Sequence, residues 1–172
     1  MKLIETGKVK RIGVSNFTTK KLQWILDEDE KPANNQVEIH PYIPQKELIT
    51  FCKDHGIVVS AFSPLGAPNT KFKHINNTSP SIPKLLDDPL IVQIARNHMA
   101  TAAQVLLKWN IMRNVPVLVK SSSQTRMKEN LESLTVELTE EDMASIGNIS
   151  KRYRYVNIDD LVLTHRRAED GF

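Results

Sequence analysis

The feature that most constrains this chain is a regular alternation of short apolar runs with longer stretches of helical period. The runs are Arg11-Ile12-Gly13-Val14-Ser15, Asn35-Gln36-Val37-Glu38-Ile39, Ile57-Val58-Val59-Ser60-Ala61-Phe62 and Val115-Pro116-Val117-Leu118-Val119. Each is about five residues long and rich in β-branched or aliphatic residues, which suits a strand and is too short for a helix. Between them, Thr18 or Thr19 can cap a helix bearing Leu22, Ile25 and Leu26, and residues 45–55 place Leu48, Ile49 and Cys52 on one face. His55-Gly56 supplies a stop signal. Asp87-Asp88-Pro89 sets proline in the first turn of a helix carrying Leu90, Ile91, Ile94 and Ala95. Thr101 opens another helix with Val105, Leu106 and Trp109, and further helices begin at Gln124 or Thr125 and at Thr139. The last of these starts Thr139-Glu140-Glu141-Asp142, a capping box with an acidic first turn.

Strands alternating with helices predict parallel βαβ units, in a doubly wound sheet or in a (β/α) barrel. No Gly-x-Gly-x-x-Gly follows any strand, which removes the main support for a dinucleotide-binding doubly wound domain. Each run ends instead in polar residues: Ser15-Asn16, His40 before Pro41, Ser63 before Pro64, and Lys120-Ser121-Ser122-Ser123. In (β/α) barrels the functional residues gather at the C-terminal ends of the strands, so the barrel is the better reading. A whole barrel takes at least about 200 residues and typically about 250. The 172 residues here, which include a long connection and a charged tail, predict only part of one.

Composition narrows the class further. With 40% hydrophobic and 25% charged residues, the chain reads as one globular domain over 1–172, residues 150–172 forming a C-terminal tail. The net charge of +3 is no argument for nucleic acid, which needs basic residues clustered on one face. No run of about 18 apolar residues occurs, so no membrane span is expected. The start, Met1-Lys2-Leu3-Ile4-Glu5-Thr6-Gly7, has no apolar core and reads as no secretory signal. The single cysteine, Cys52, cannot form an internal disulfide, and a cytoplasmic setting is expected. The connection 66–86 is unusually long for a compact domain and reads as a functional lid or a disordered insertion. Lys151-Arg152-Tyr153-Arg154 in the tail reads as a solvated basic surface.

The strand-end clusters resemble those of the aldo-keto reductases. Gly13-Val14-Ser15-Asn16-Phe17, Asn35-Gln36-Val37-Glu38, His40-Pro41-Tyr42, Phe62-Ser63-Pro64-Leu65-Gly66 and Lys120-Ser121 match that family's motifs in the family's order, as does Arg126 followed by Glu129-Asn130. The resemblance implies a partial (β/α)8 TIM barrel, aligned with strands five to eight of the family's eight, and an enzyme that reduces aldehydes or ketones with NADPH. Residues 1–7 would then end the helix before strand five.

Several roles follow from that resemblance. Ser15, Asn16 and Gln36 would hydrogen-bond the nicotinamide carboxamide. Phe62 stands where the family most often has tyrosine and keeps a ring to stack on the nicotinamide. Ser63 and Leu65 match cofactor-site positions. Lys120 and Arg126 would bind the 2′-phosphate of NADP(H), with Ser121 and Ser122 leading into the helix, while Glu129 and Asn130 would contact the adenine. The residues themselves allow this. A helix N-terminus favours an anion, and two cations beside it favour the extra phosphate of NADP over the hydroxyl of NAD. Taken alone, Ser15 and Asn16 are ordinary turn or cap residues, Phe62 an ordinary core aromatic, and Lys-Ser-Ser-Ser a common surface cap.

Departures from the family pattern are also present. Ala67 and Asn69 replace serine and aspartate in the loop that closes over the pyrophosphate, which implies a weaker latch to Lys120 and faster cofactor exchange. Val119 replaces a proline. The family's catalytic aspartate, tyrosine, lysine and histidine lie in the other half of its barrel, so no catalytic residue is assigned here. His40, Tyr42 and Cys52 read as structural, and His55, His74, His98 and His165 show no metal-ligand spacing. Three readings result: an NADP-dependent reductase represented by its cofactor-binding half, a non-catalytic NADP-sensing or interaction protein, or a degenerate remnant. Open sheet edges would make an isolated half-barrel self-associate or pair with another half.

Overall fold

A computed structural model of the chain describes residues 2–28, 31–66 and 82–156. Its centre is a parallel sheet of four strands, β1 (Val14–Ser15), β2 (Asn34–Glu38), β3 (Val58–Phe62) and β4 (Val117–Leu118). They lie in the order β1-β2-β3-β4. Seven helices occur among the described residues: α1 (Lys2–Glu5), α2 (Thr19–Asp27), α3 (Lys46–Asp54), α4 (Pro89–Asn97), α5 (Ala102–Met112), α6 (Gln124–Glu132) and α7 (Glu140–Gly147). Each strand pairs with the next in sequence, whereas a doubly wound sheet reverses direction part-way. The architecture is therefore an α/β fold consistent with part of a TIM barrel.

The pleat separates two faces. Val37, Ile39, Val59 and Ala61 are buried in the hydrophobic core with Leu22, Ile91, Ile94, Leu106, Trp109 and Ile146 of the helices. The opposite face is formed by the alternate residues. Gln36 is Cα partner of both Ser15 and Ser60, and Phe62 of both Glu38 and Leu118. There Ser15, Val58 and Leu118 are exposed, Gln36 and Phe62 are half-buried, and Ser60 and Glu38 are buried. The helices thus cover one side of the sheet.

Helix starts follow their capping chemistry. Thr18 accepts from the Lys21 amide, Asp88 from Leu90 with Pro89 in the first turn, and Ser123 from Arg126. Thr101 and Thr139 both form complete capping boxes, with Gln104 and Asp142. Helix α3 differs: Gln45 precedes it in a left-handed conformation (φ 52°) and spends its side chain on the Glu38 carbonyl instead of a cap.

Both outer strands are shorter than their runs predict. The Pro116 carbonyl accepts from the Ala61 amide, but proline has no N–H to return. Gly13 lies so near β2 that a Cβ there would meet the Asn34 carbonyl oxygen at 3.0 Å, and pairing on β1 is confined to Val14 and Ser15.

The tail departs from a purely solvated reading. Lys151 and Arg152 are exposed, but Tyr155 is 7% exposed and belongs to the core. Of the connection 66–86, Gly66 and residues 82–86 are described and include buried Leu85, which opens a 3-10 turn, Leu85–Asp87. Ala67, Asn69, His74 and His165 lie outside the described residues.

Candidate functional site

The polar ends of the strands meet along one edge of the sheet. Ser15 ends β1, and its hydroxyl donates to the Gln36 carbonyl at 2.9 Å while accepting from the Asn16 side-chain amide at 3.0 Å. The Asn16 backbone amide donates to the same carbonyl at 3.0 Å. Asn16 (φ 60°) and Ser63 (φ 48°) both adopt the left-handed region directly after their strands. That conformation is uncommon outside glycine, and it clusters where backbone is held for function. Phe62 ends β3 two register positions beyond Gln36, and so on the same face, and Lys120 follows β4.

Beyond β3 and β4 the edge opens into a cavity of about 430 Å³. Ser63, Leu65, Lys120, Ser121, Ser122, Arg126, Glu129 and Asn130 all line it, over an apolar floor that includes Leu86, Ala103 and Leu118. The structure thus brings these eight sequence-predicted residues together. Gln104 of α5, already committed to its capping box, also donates to the Glu129 carbonyl at 3.1 Å and so fixes α6 against α5. Ser121 accepts from the Ser123 amide at 3.1 Å, which shapes the turn entering α6. Lys120 and Arg126 are exposed, and among the described residues neither forms an ion pair. Two uncommitted cations, three serine hydroxyls and a helix N-terminus around an apolar floor form a donor set suited to an adenine ring carrying a phosphate.

The other four predicted residues do not line this cavity. Ser15, Gln36 and Phe62 lie along the sheet edge beside it, and Asn16 borders a separate, larger cavity of about 660 Å³. That larger cavity is bounded by the first turns of α2 and α3 and by Arg152 and Arg154, and no sequence signal pointed to it.

Sequence reasoning also missed the buried cluster under the edge. Glu38 is fully buried, and its carboxyl group accepts from His40 Nε2 at 3.0 Å, the Tyr155 amide at 2.7 Å and the Val156 amide at 3.3 Å. Arg154 Nη1 lies 3.5 Å from the same carboxyl. His40 is therefore a buried, hydrogen-bonded residue and not part of the open rim. Tyr42 donates to Asp88 at 2.7 Å; burial first, and that bond with its nearby negative charge second, raise the phenol well above its ordinary value. Burial likewise raises the phenols of Tyr155 and Tyr153. Burial pushes the Cys52 thiol up, which disfavours the reactive thiolate. Among the described residues no group of three or more His, Cys, Asp or Glu could hold a metal ion, and no helix is long and apolar enough to cross a membrane.

The family model described as "Aldo/keto reductase family" matches residues 1–151. The chain belongs to the aldo/keto reductase family. It is 41% identical over 156 residues to aldo-keto reductase family 1 member A1 of Gallus gallus, an alignment covering 90% of this chain and 46% of that protein. It is 44% identical over 154 residues to dihydrodiol dehydrogenase 3 of Bos taurus (88% and 46%), and 43% identical over 155 residues to prostaglandin F synthase 1 of Bos taurus (88% and 46%). The chain spans about half the length of these aldo/keto reductases.

Proposed function

We propose that this chain is the cofactor-binding C-terminal half, strands five to eight, of an NADP-dependent reductase of aldehydes or ketones. The observation that carries the reading is the single cavity that gathers Lys120, Ser121, Ser122, Arg126, Glu129 and Asn130 at the C-terminal edge of a parallel sheet. The four sequentially ordered strands, and relatives about twice as long, support assignment to half of an eight-stranded barrel.

In this reading Lys120 and Arg126 neutralise the 2′-phosphate, Glu129 and Asn130 meet the adenine edge, and Leu65 supports the ring from the apolar floor. Ser15, Asn16 and Gln36 orient the nicotinamide carboxamide, and Phe62 presents its ring to the nicotinamide face. NADPH, when bound, supplies the hydride for a carbonyl carbon. The developing alkoxide then needs a proton donor. By family resemblance that donor comes from the barrel half to which no position of this chain corresponds, so the chain alone binds cofactor without turning it over.

The test is a titration of tryptophan fluorescence with NADPH and NADH, with exposed Trp24 and buried Trp109 as reporters. NADPH is expected to bind at least about tenfold more tightly, the equivalent of one charge-assisted contact. Equal affinities, or no binding of either, would overturn the assignment. A second reading, a non-catalytic NADP-sensing or interaction protein, is favoured by the exposure of Val58 (51%) on the uncovered sheet face, outside the cavity. Consumption of NADPH with an aromatic aldehyde by the purified chain would exclude it, and would equally overturn the assignment of the proton donor to the other barrel half.

A further inference from the structure

Two separate stretches of chain build the wall of the 430 Å³ cavity: residues 63–66, directly after β3, and Leu86, in the 3-10 turn before α4. They are the two described ends of the connection between β3 and α4. One side chain of the tail, Tyr155, touches both ends of that connection, at Gly66 and at Pro83, three residues before Leu86. The Tyr155 hydroxyl donates to the Pro83 carbonyl at 2.7 Å. Its ring lies against Gly66, where an added Cβ would come within 3.0 Å of two ring atoms. Gly66 has φ +72°, so both its backbone conformation and the neighbouring ring demand glycine.

Tyr155 is itself held from a third direction. Its amide donates to buried Glu38 on β2 at 2.7 Å, and the ring meets His40 edge-on at 5.0 Å and stacks near Tyr42 at 6.5 Å. Glu38 reaches the tail across 117 positions of sequence. Tyr42, in turn, holds Asp88, the residue that caps α4 just beyond Leu86. One aromatic residue therefore sits where the sheet, the tail and both ends of the cavity wall converge, without lining the cavity.

We propose that Tyr155 is a positioning residue that couples the C-terminal segment to the cavity: it sets the separation of residues 63–66 from Leu86, so that ligand binding and the seating of residues 155 and 156 favour one another. The proposal rests on the phosphoadenosine reading only for its choice of probe. Coupling of this kind is reciprocal. A ligand that stabilises this arrangement of the wall must stabilise the tail contact by the same factor.

The experiment is amide hydrogen exchange on the full chain and on Tyr155→Phe, with and without adenosine 2′,5′-bisphosphate. Phenylalanine keeps the ring against Gly66 and removes only the bond to Pro83. Without ligand, the variant is expected to exchange about two- to tenfold faster at residues 84–88 and at 63–66 together, the range for losing one neutral hydrogen bond. Faster exchange confined to the tail, or to one end of the wall, overturns the proposal. With the bisphosphate, the wild-type chain is expected to gain protection at the Tyr155 and Val156 amides, and Tyr155→Phe to lose that gain. A merely structural tyrosine would not transmit ligand binding to the tail, so protection limited to the cavity residues also overturns it. Failure of the bisphosphate to bind counts against the phosphoadenosine reading alone; the ligand-free comparison still decides whether Tyr155 holds both ends of the wall, and the same exchange experiment with NADPH then decides the coupling.

Discussion

In the proposed NADP site, discrimination between the two dinucleotides rests on Lys120 and Arg126, because they are the cations on the cavity wall and neither is committed to a carboxylate among the described residues. Both are exposed, so solvent screening places each at the lower end of charge-assisted contacts. Lys120→Met or Arg126→Leu is expected to weaken NADPH binding about tenfold while leaving NADH nearly unchanged. Fluorescence titration with both cofactors checks this, and equal losses for the two would refute the assignment of the phosphate to this pair. The tyrosines offer a second test. All three phenols, Tyr42, Tyr153 and Tyr155, are raised, chiefly by burial. Their folded values exceed their unfolded ones, so the stability they contribute is complete below about pH 10 and is lost as pH rises through the folded values. An absorbance titration should show little tyrosinate at pH 10 until the chain unfolds; three phenols ionising near the free value would contradict the burial. The residues of the cavity were legible in sequence because they directly follow β3 and β4 or lie in the first two turns of α6. The Glu38, His40 and Tyr155 cluster was not, since its members join only through a contact between the tail and β2 that leaves no local pattern.

At the scale of elements, capping chemistry carried most of the reading. Thr18, Asp88, Thr101 and Thr139 each stand at the helix start that the sequence indicates. The runs at the two outer strands were less informative, because a strand with one neighbour forms a ladder on one side only, and Pro116 and Gly13 shorten it further. The turn of Ser133–Thr135 after α6 had no sequence signal of its own. Helix α7 carries the clearest test of how an element is held. Asp142 accepts from the Thr139 amide and hydroxyl, at 2.9 and 2.7 Å, and from His98, at the end of α4, at 2.8 Å. Burial alone would raise this carboxyl, but the bonds from Thr139 and His98 outweigh it and hold it below the ordinary aspartate value. A lowered folded value means that the stabilisation is complete above about pH 3.9 and is lost as pH falls through the folded value. Asp142→Asn and Thr139→Ala are each expected to cost about 1 kcal/mol near neutral pH. For Asp142→Asn the difference from wild type should shrink below about pH 3.9. Urea unfolding across that range measures it, and a pH-independent difference would show that the charge plays no part.

The whole molecule presents an imbalance that no single element reveals. Helices bury one face of the sheet, while the other exposes Val58 and Leu118 and leaves Phe62 half-covered, and among the described residues strands β1 and β4 each pair on one side only. Unpaired parallel edges flanking an apolar face are a template for further pairing, which a closed barrel removes. Expressed by itself, the chain is therefore expected to sediment as a dimer or larger species, above its 19.5 kDa monomer mass, with a melting temperature that rises with concentration. Val58→Lys puts a charge on the open face at the start of β3, at the opposite end of the strand from Phe62 and the proposed cofactor edge, and outside the 430 Å³ cavity. It should shift the chain toward monomer while leaving the affinity for NADPH unchanged, because desolvating an unpaired lysine opposes association and the phosphate cations are untouched. Sedimentation velocity on both proteins separates the possibilities. A wild-type chain that stays monomeric with a concentration-independent transition would mean that the uncovered face is stable in water by itself, and the apolar exposure of Val58 and Leu118 would then carry no drive to associate.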